Sequence, residues 1–279
     1  MRTIIANEIT NVIKNLCIEA NYSLPNDIEK SLSKALEKET SLICKSALED
    51  VCQNLIIAKE KNLPICQDTG MVVVFLEIGQ DIHIEGDLNE AVNQGVRQGY
   101  LDGYLRKSIV KDPLKRVNTN DNTPAIIHTD IVKGDKIKIT VVPKGMGSEN
   151  MSVIKMFNPS VTKDDIISFI VDSVNKAGSN PCPPIVVGVG IGGNFEYCAY
   201  LSKKALIRNI DEPNTNEFYK VMEKETLEQI NKTGIGTAGF GGTITALAVN
   251  IEVFPTHIAG LPVAVNIGCH VSRHKSIII

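Results

Sequence analysis

Residues 185–193 read IVVGVGIGG, nine consecutive positions without a charge, an amide or a hydroxyl. A run so short and so uniformly apolar has no wet face to offer, so it predicts a strand buried within a sheet. Helical periodicity follows at once, over 194–208, and a second uninterrupted run beginning at Met71, MVVVFLEI, asks for the same burial. Residues 1–62 read as helical. Ile9, Val12, Ile13, Leu16 and Ala20 fall at helical spacing, as do Ile28, Leu32, Ala35 and Leu36 after the start signal Pro25-Asn26-Asp27, and a third pattern covers 42–55. Further helices are expected over 88–105, 163–177 and 216–232. The segments AIIHTDIV and KIKITVVP, joined by a Lys-Gly-Asp turn, predict a hairpin, and two more strand-like runs lie near the C-terminus. The expected architecture is mixed α/β (α+β): a helical N-terminal part, then β-sheets surrounded by helices, in a single compact domain over residues 1–279.

Hydrophobic residues make up 43% of the chain and charged residues 22%, the balance of an ordinary globular protein. Lys and Arg (29) nearly cancel Asp and Glu (32), and no basic stripe stands out, which argues against nucleic acid as the main partner. No apolar run is long enough to span a bilayer, and acids and amides interrupt the N-terminal stretch MRTIIANEITNVIKNLCIEA, so neither a membrane span nor a signal peptide is expected. The seven cysteines are odd in number and widely scattered, which fits thiols in a reducing, cytoplasmic setting better than a disulfide framework. Cys17, Cys44 and Cys52 sit inside helical patterns as small core hydrophobes.

Chemistry concentrates elsewhere. Residues 63–70, LPICQDTG, put a thiol, an amide, a carboxylate and a hydroxyl on four successive positions between a proline and a glycine, as in a tight fixed loop. Gly188-x-Gly190-x-x-Gly193 fits a dinucleotide fingerprint, with Asp211 as the following acid. Asp211, however, lies in the turn-rich IDEPNTNE, and no regular strand–helix alternation precedes the glycines, so the pattern alone is weak support for a nicotinamide dehydrogenase. Cys66, Cys182 (in NPCPPIVVG) and Cys269 (in PVAVNIGCHVSR) stand outside the helical patterns, and prolines stiffen the backbone around the first two. Their wide separation excludes a short-spaced zinc ribbon or ferredoxin run. Three scattered thiolates could hold an iron–sulfur cluster with one iron left open, and structural cysteines are the alternative.

LPICQDTG, KGMGSEN, NPCPPIVVGVGIGG, TGIGTAGFGGTITALAV and HIAGLPVAVNIGCH occur in this order in the class I fumarate hydratases and the related L(+)-tartrate dehydratases. Over residues 40–273 the chain resembles the alpha subunit of the two-subunit form, equivalent to the N-terminal domain of the single-chain enzymes. The resemblance implies an oxygen-sensitive 4Fe-4S cluster held by Cys66, Cys182 and Cys269, with Cys198 left in the core. It implies substrate contact for Gln67 and Asp68, although Asp68 could instead cap the next element. Arg106 corresponds to a substrate-carboxylate arginine, whereas Arg97 reads as a surface residue. His257 matches a substrate-bonding histidine, the alternative being a satisfied histidine at a strand end. Gly145 and Gly147 supply backbone amides near substrate in relatives, many of which carry Gly where Met146 stands here. His83, His128 and His274 read as structural or surface residues, and His270 could tune the cluster.

The activity implied is hydration of fumarate to S-malate, or dehydration of L-tartrate to oxaloacetate. An electron-transfer iron–sulfur protein is the reading from another class, and it would need a fourth thiolate. Motifs of the relatives' second domain do not occur here, so the resemblance also implies a separate beta subunit that completes the pocket for a small dicarboxylate, in an α2β2 assembly.

Overall fold

The structure, a computed structural model, describes residues 2–279. In chain order the elements are β1 (Arg2–Ile5), α1 (Ala6–Tyr22), α2 (Asn26–Lys38), α3 (Leu42–Lys61), β2 (Met71–Gly79), β3 (Ile82–Glu85), α4 (Leu88–Asp102), β4 (Ile126–Val132), β5 (Ile137–Lys144), α5 (Met146–Glu149), β6 (Val153–Phe157), α6 (Lys163–Ala177), β7 (Ile185–Gly193), α7 (Phe195–Ala205), α8 (Glu217–Asn231), β8 (Ala246–Thr256), β9 (Leu261–Gly268) and β10 (Lys275–Ile278). The mixed α/β class expected from sequence is the one observed. The chain is built as two compact units, each with its own four-stranded sheet and core, the first also holding the two-stranded parallel pair β1-β3. The first takes everything up to Pro25, Leu55–Met146 and Arg273–Ile279; the second takes Asn26–Asn54 and Gly147–Ser272.

In the first unit, a four-stranded sheet runs β10-β5-β2-β4. The expected hairpin of β4 with β5 does not form. Both strands pair with β2 instead, β4 parallel and β5 antiparallel. The reason lies in burial. β2 is apolar on both faces and nearly all buried, so it takes a central place, while the half-exposed β4 suits an edge. The Lys133-Gly134-Asp135 turn wraps the end of β2, where Gly79 N–H donates to the Lys136 carbonyl (2.9 Å) and Gln80 N–H to that of Val132 (2.8 Å). α1 and α4 pack together through Ile9, Ile13, Leu16 and Cys17 against Val92, Val96 and Tyr100. A Cβ on Gly99 would lie 2.9 Å from the Cys17 Cβ, so the approach of these helices depends on that glycine.

Arg97 turns out paired, its Nε donating to Asp121 (3.1 Å). Burial by itself would raise the Asp121 pKa, but the Thr123 N–H and hydroxyl (3.0 and 2.8 Å) and Arg97 overcome it and hold the carboxyl at about 2. Because the folded value lies below the unfolded one, the stabilisation is complete above an ordinary Asp value of about 4 and is lost as pH falls toward about 2. Asp121→Asn is therefore expected to cost about 1 kcal/mol at neutral pH and to flatten the fall in melting temperature between pH 4 and 2. An equally steep acid limb in the variant would contradict that assignment.

In the second unit, the sheet order is β6-β9-β7-β8, with β8 parallel and β9 antiparallel to β7. Ile185, Val187, Val189 and Ile191 of β7 join Ile167, Ile170 and Val174 of α6 and Met222 and Ile230 of α8 in one core. The glycines of β7 serve α7. A Cβ on Gly188 would fall 2.2 Å from the Ser202 carbonyl oxygen, and one on Gly190 would fall 2.0 Å from that of Cys198. These glycines are thus consumed by helix-on-strand contact, and Asp211 is exposed in a turn with Lys34 3.9 Å away. Asp211, the acid at the fingerprint's spacing, thus lies in a turn and not on a strand beside β7.

Candidate active site

The LPICQDTG segment is the loop between α3 and β2, and its backbone is held from several directions within the first unit. Ile65 N–H donates to the Asn21 carbonyl (2.9 Å). The buried Thr69 hydroxyl donates to the Arg106 carbonyl (2.9 Å), and Asn122 donates its amide to that of Gly70 (3.2 Å). The Tyr100 hydroxyl, fully buried, donates to the carbonyls of Thr69 and Gly70. Arg273 donates through Nη2 to the Asp68 carbonyl. Gly70 adopts φ +78° with its α-carbon against the Lys144 backbone, where a Cβ would come within 2.7 Å.

The Asp68 carboxylate accepts from Gly70 N–H through Oδ1 (3.0 Å) and from Met146 N–H through Oδ2 (2.9 Å). It therefore closes its own turn and ties down the start of the glycine loop. A Cβ on Gly145 would sit 3.1 Å from Oδ2, so Gly145 borders the same carboxylate. The first unit thus assembles Asp68, Thr69, the Arg106 backbone and Gly145 around one loop that also carries Cys66 and Gln67. Gln67 and the Arg106 residue are exposed, and Cys66 is half-buried.

The second unit gathers its own set at one end of the sheet, where β7 begins and β9 finishes. His270 N–H donates to the Cys182 carbonyl (3.3 Å), and its Nδ1 lies 2.9 Å from the same oxygen. The backbones beside Cys182 and Cys269 are thereby joined. Cys182 itself has φ +55°, Cys182 N–H donates to Ser179 (3.0 Å), and Ala238 N–H donates to the Pro183 carbonyl (2.9 Å). That last bond brings in the glycine-rich segment 234–245. Its far end is tied down by the buried Glu39, whose carboxylate accepts the N–H groups of Thr40, Ser41, Thr243 and Ile244. Burial would push Glu39 up, and these four backbone donors pull it below the usual range.

Gly147 borders this end as well: the nearest atom to a Cβ placed there is the Asn180 carbonyl oxygen, 3.7 Å away. Glu149 anchors the loop through Lys203 of α7 and Asn266 of β9 (3.2 Å). His257 lies in the turn before β9, whereas Cys269 directly follows it. An eight-residue strand separates them by roughly 25 Å. Its ring Nδ1 accepts from Ala259 N–H (3.2 Å).

All seven cysteines are thiols. Cys17, Cys44 and Cys198 are buried as expected of core residues, and burial pushes the thiols of Cys17 and Cys198 up. Cys52 is only partly covered. Among the described residues no three or more His, Cys, Asp or Glu side chains are gathered as a metal cage. The donor chemistry nonetheless suits a thiolate-ligated group. Cys66, Cys182 and Cys269 all lie in fixed loops, outside helices and outside both cores, and Cys182 is exposed. Arg273, Tyr100, Asn122 and Glu39 escaped the sequence reading. The only signal for Arg273 was a lone charge shortly after a candidate ligand, and the others carried none.

The family model described as "Fumarate hydratase (Fumerase)" matches residues 10–278. A protein of Methanocaldococcus jannaschii, provisionally named L(+)-tartrate dehydratase subunit alpha, is 42% identical over 95% of this chain and 95% of its own length. The L(+)-tartrate dehydratase subunit alpha of Escherichia coli K12 is 29% identical over 98% of this chain and 91% of its own. That of Escherichia coli O157:H7 has the same identity and coverage. Among the described residues no helix is long and apolar enough to cross a membrane.

Proposed function

We propose, on the premise that this chain belongs to the fumarate hydratase (Fumerase) family of hydro-lyases, that it adds water reversibly to fumarate to give S-malate. The observation that carries the reading is the junction of two thiol-bearing loops by His270 N–H on the Cys182 carbonyl. It gives Cys182 and Cys269 a fixed, accessible place, as ligands require. We propose Cys66 as the third ligand of a 4Fe-4S cluster, which when bound supplies Lewis acidity toward the substrate hydroxyl. Cys198 supports an open iron rather than an electron carrier: it is buried in α7, with Sγ 3.4 Å from the Phe195 carbonyl oxygen.

The chain's own groups have separable tasks in this reading. The exposed Arg106 guanidinium binds one substrate carboxylate. The Gln67 amide hydrogen-bonds the substrate oxygen, and the N–H groups of Gly145 and Gly147 face the other carboxylate. Asp68 contacts substrate from a carboxylate already braced by two amides. His257, about a strand's length from Cys269, serves this chemistry only as a residue lent to the site of a second copy, as an α2β2 assembly would allow. The relatives' names, all "subunit alpha", support a separate partner polypeptide that completes the pocket. Those same names favour a second reading, dehydration of L-tartrate to oxaloacetate, which differs by one hydroxyl.

The test is anaerobic co-expression with the partner, iron and sulfide analysis, and kcat/KM for S-malate against L-tartrate. A higher value for malate is expected. Preference for tartrate would install the second reading, inactivity on both would remove the hydro-lyase assignment, and full turnover by this chain alone would remove the partner.

A further inference from the structure

Arg273 is 4% exposed. A guanidinium stays charged at any pH a protein survives, and burying it is costly unless it is paired. Yet among the described residues Arg273 makes no ion pair. Nη2 donates to the Asp68 carbonyl, while Nε and Nη1, equally buried, have no hydrogen-bond partner. The Asp68 carboxylate forms no ion pair with it, because its two oxygens are turned to Gly70 N–H and Met146 N–H. The charge is felt nearby: burial pushes the Tyr100 phenol up, and Arg273 pulls the other way. A purely structural arginine would spend its fork on carbonyls or a carboxylate. This one spends a single donor on the very turn that presents Gln67 and Asp68, and keeps beneath it a positive charge with two buried donors unused.

We infer that Arg273 is a positioning residue with an electrostatic task. It fixes the carbonyl side of the Gln67-Asp68-Thr69 turn, and its buried charge favours a dianionic ligand, a dicarboxylate, over a monoanionic one at that turn. The effect needs no contact with the ligand, since a charge acts strongly over short distances where water is excluded. The inference rests on the dicarboxylate reading above and adds a cation to it beyond Arg106.

The test uses the chain assembled with its partner subunit, as wild type, Arg273→Lys and Arg273→Met. The probes are succinate, an unreactive dicarboxylate, and its monoamide, which carries one charge fewer, both titrated calorimetrically. Arg273→Met is expected to weaken succinate about tenfold and the monoamide no more than about threefold, with KM rising in parallel. Arg273→Lys, which keeps the charge, is expected to stay within about threefold of wild type on succinate. Equal weakening of both probes, or a folded Arg273→Met that binds succinate within about twofold of wild type, would overturn the proposal. If Arg273→Met fails to assemble, Arg273→Lys decides, a tenfold loss of succinate counting against the charge. A wild type that binds succinate but turns over no substrate would sink the hydro-lyase reading and leave this inference to the affinities. A wild type that binds no succinate would sink both.

Discussion

Replacing any one of Cys66, Cys182 or Cys269 by serine is expected to strip the assembled protein of most of its iron and sulfide and to lower turnover by about a thousandfold or more. That exceeds the 10–100-fold typical of groups that only brace a ligand. Serine keeps the size and the loop but offers a hydroxyl that does not ionise at neutral pH, so a thiolate ligand is lost while the fold is spared. The spared fold is checkable. None of the three side chains belongs to either core, so melting of the metal-free chain should move little. Cys198→Ser makes the contrast, since it places a hydroxyl at a buried position of α7 and should cost stability without removing iron. Anaerobic iron analysis beside thermal melts separates the two patterns. A serine variant at Cys182 or Cys269 that retains iron and turnover would end the proposed cluster assignment.

Gly190→Ala is expected to be a severely damaging single-methyl addition in the chain's second unit. The added Cβ would stand 2.0 Å from the Cys198 carbonyl oxygen and 2.6 Å from the Ser202 nitrogen, both backbone atoms of α7. Backbone cannot rotate away as a side chain can, so α7 must lift from β7, opening the packing it now fills. Overpacking typically costs 1–3 kcal/mol, and a clash of this kind belongs at or beyond the upper end, about 3 kcal/mol. For a protein of this size that lowers the melting temperature by roughly 6–12 °C, and failure to fold is an accepted form of the same result. Gly147→Ala supplies the control, because its Cβ meets nothing nearer than 3.7 Å and should leave melting unchanged. If Gly190→Ala melts with the wild type, the close seating of α7 on β7 is wrong.

Periodicity carried much of the architecture. The helices at α1, α2 and α3, the long helices α4, α6, α7 and α8, and the buried strands β2 and β7 were all legible, because each is long or strongly patterned over a local window. Strand pairing was not. β4 and β5 look like a hairpin because they are neighbours in sequence, but the apolar β2 outbids both for the middle of the sheet, and that competition is non-local. The short β1 and β10 escaped for the opposite reason. Four residues hold too little pattern to separate a strand from its surroundings. For Asp68 the local spacing hid a double attachment, one oxygen closing its own turn on Gly70 N–H and the other meeting Met146 N–H, 78 positions away.

From the residues themselves came the secondary elements, the core cysteines, the thiols in loops and the motif series that points to the family, because each is written in local spacing and side-chain chemistry. Tertiary structure alone decided that β7's glycines seat a helix, that His270 ties the loops of Cys182 and Cys269 together, that His257 stands a strand's length from that junction, and that Arg273 lies buried under the Asp68 turn. The last and the second depend on which distant segments meet, 205 and 88 positions apart, and such contact leaves no periodic trace in a single chain. The other two depend on how consecutive elements pack and extend, which spacing alone does not state.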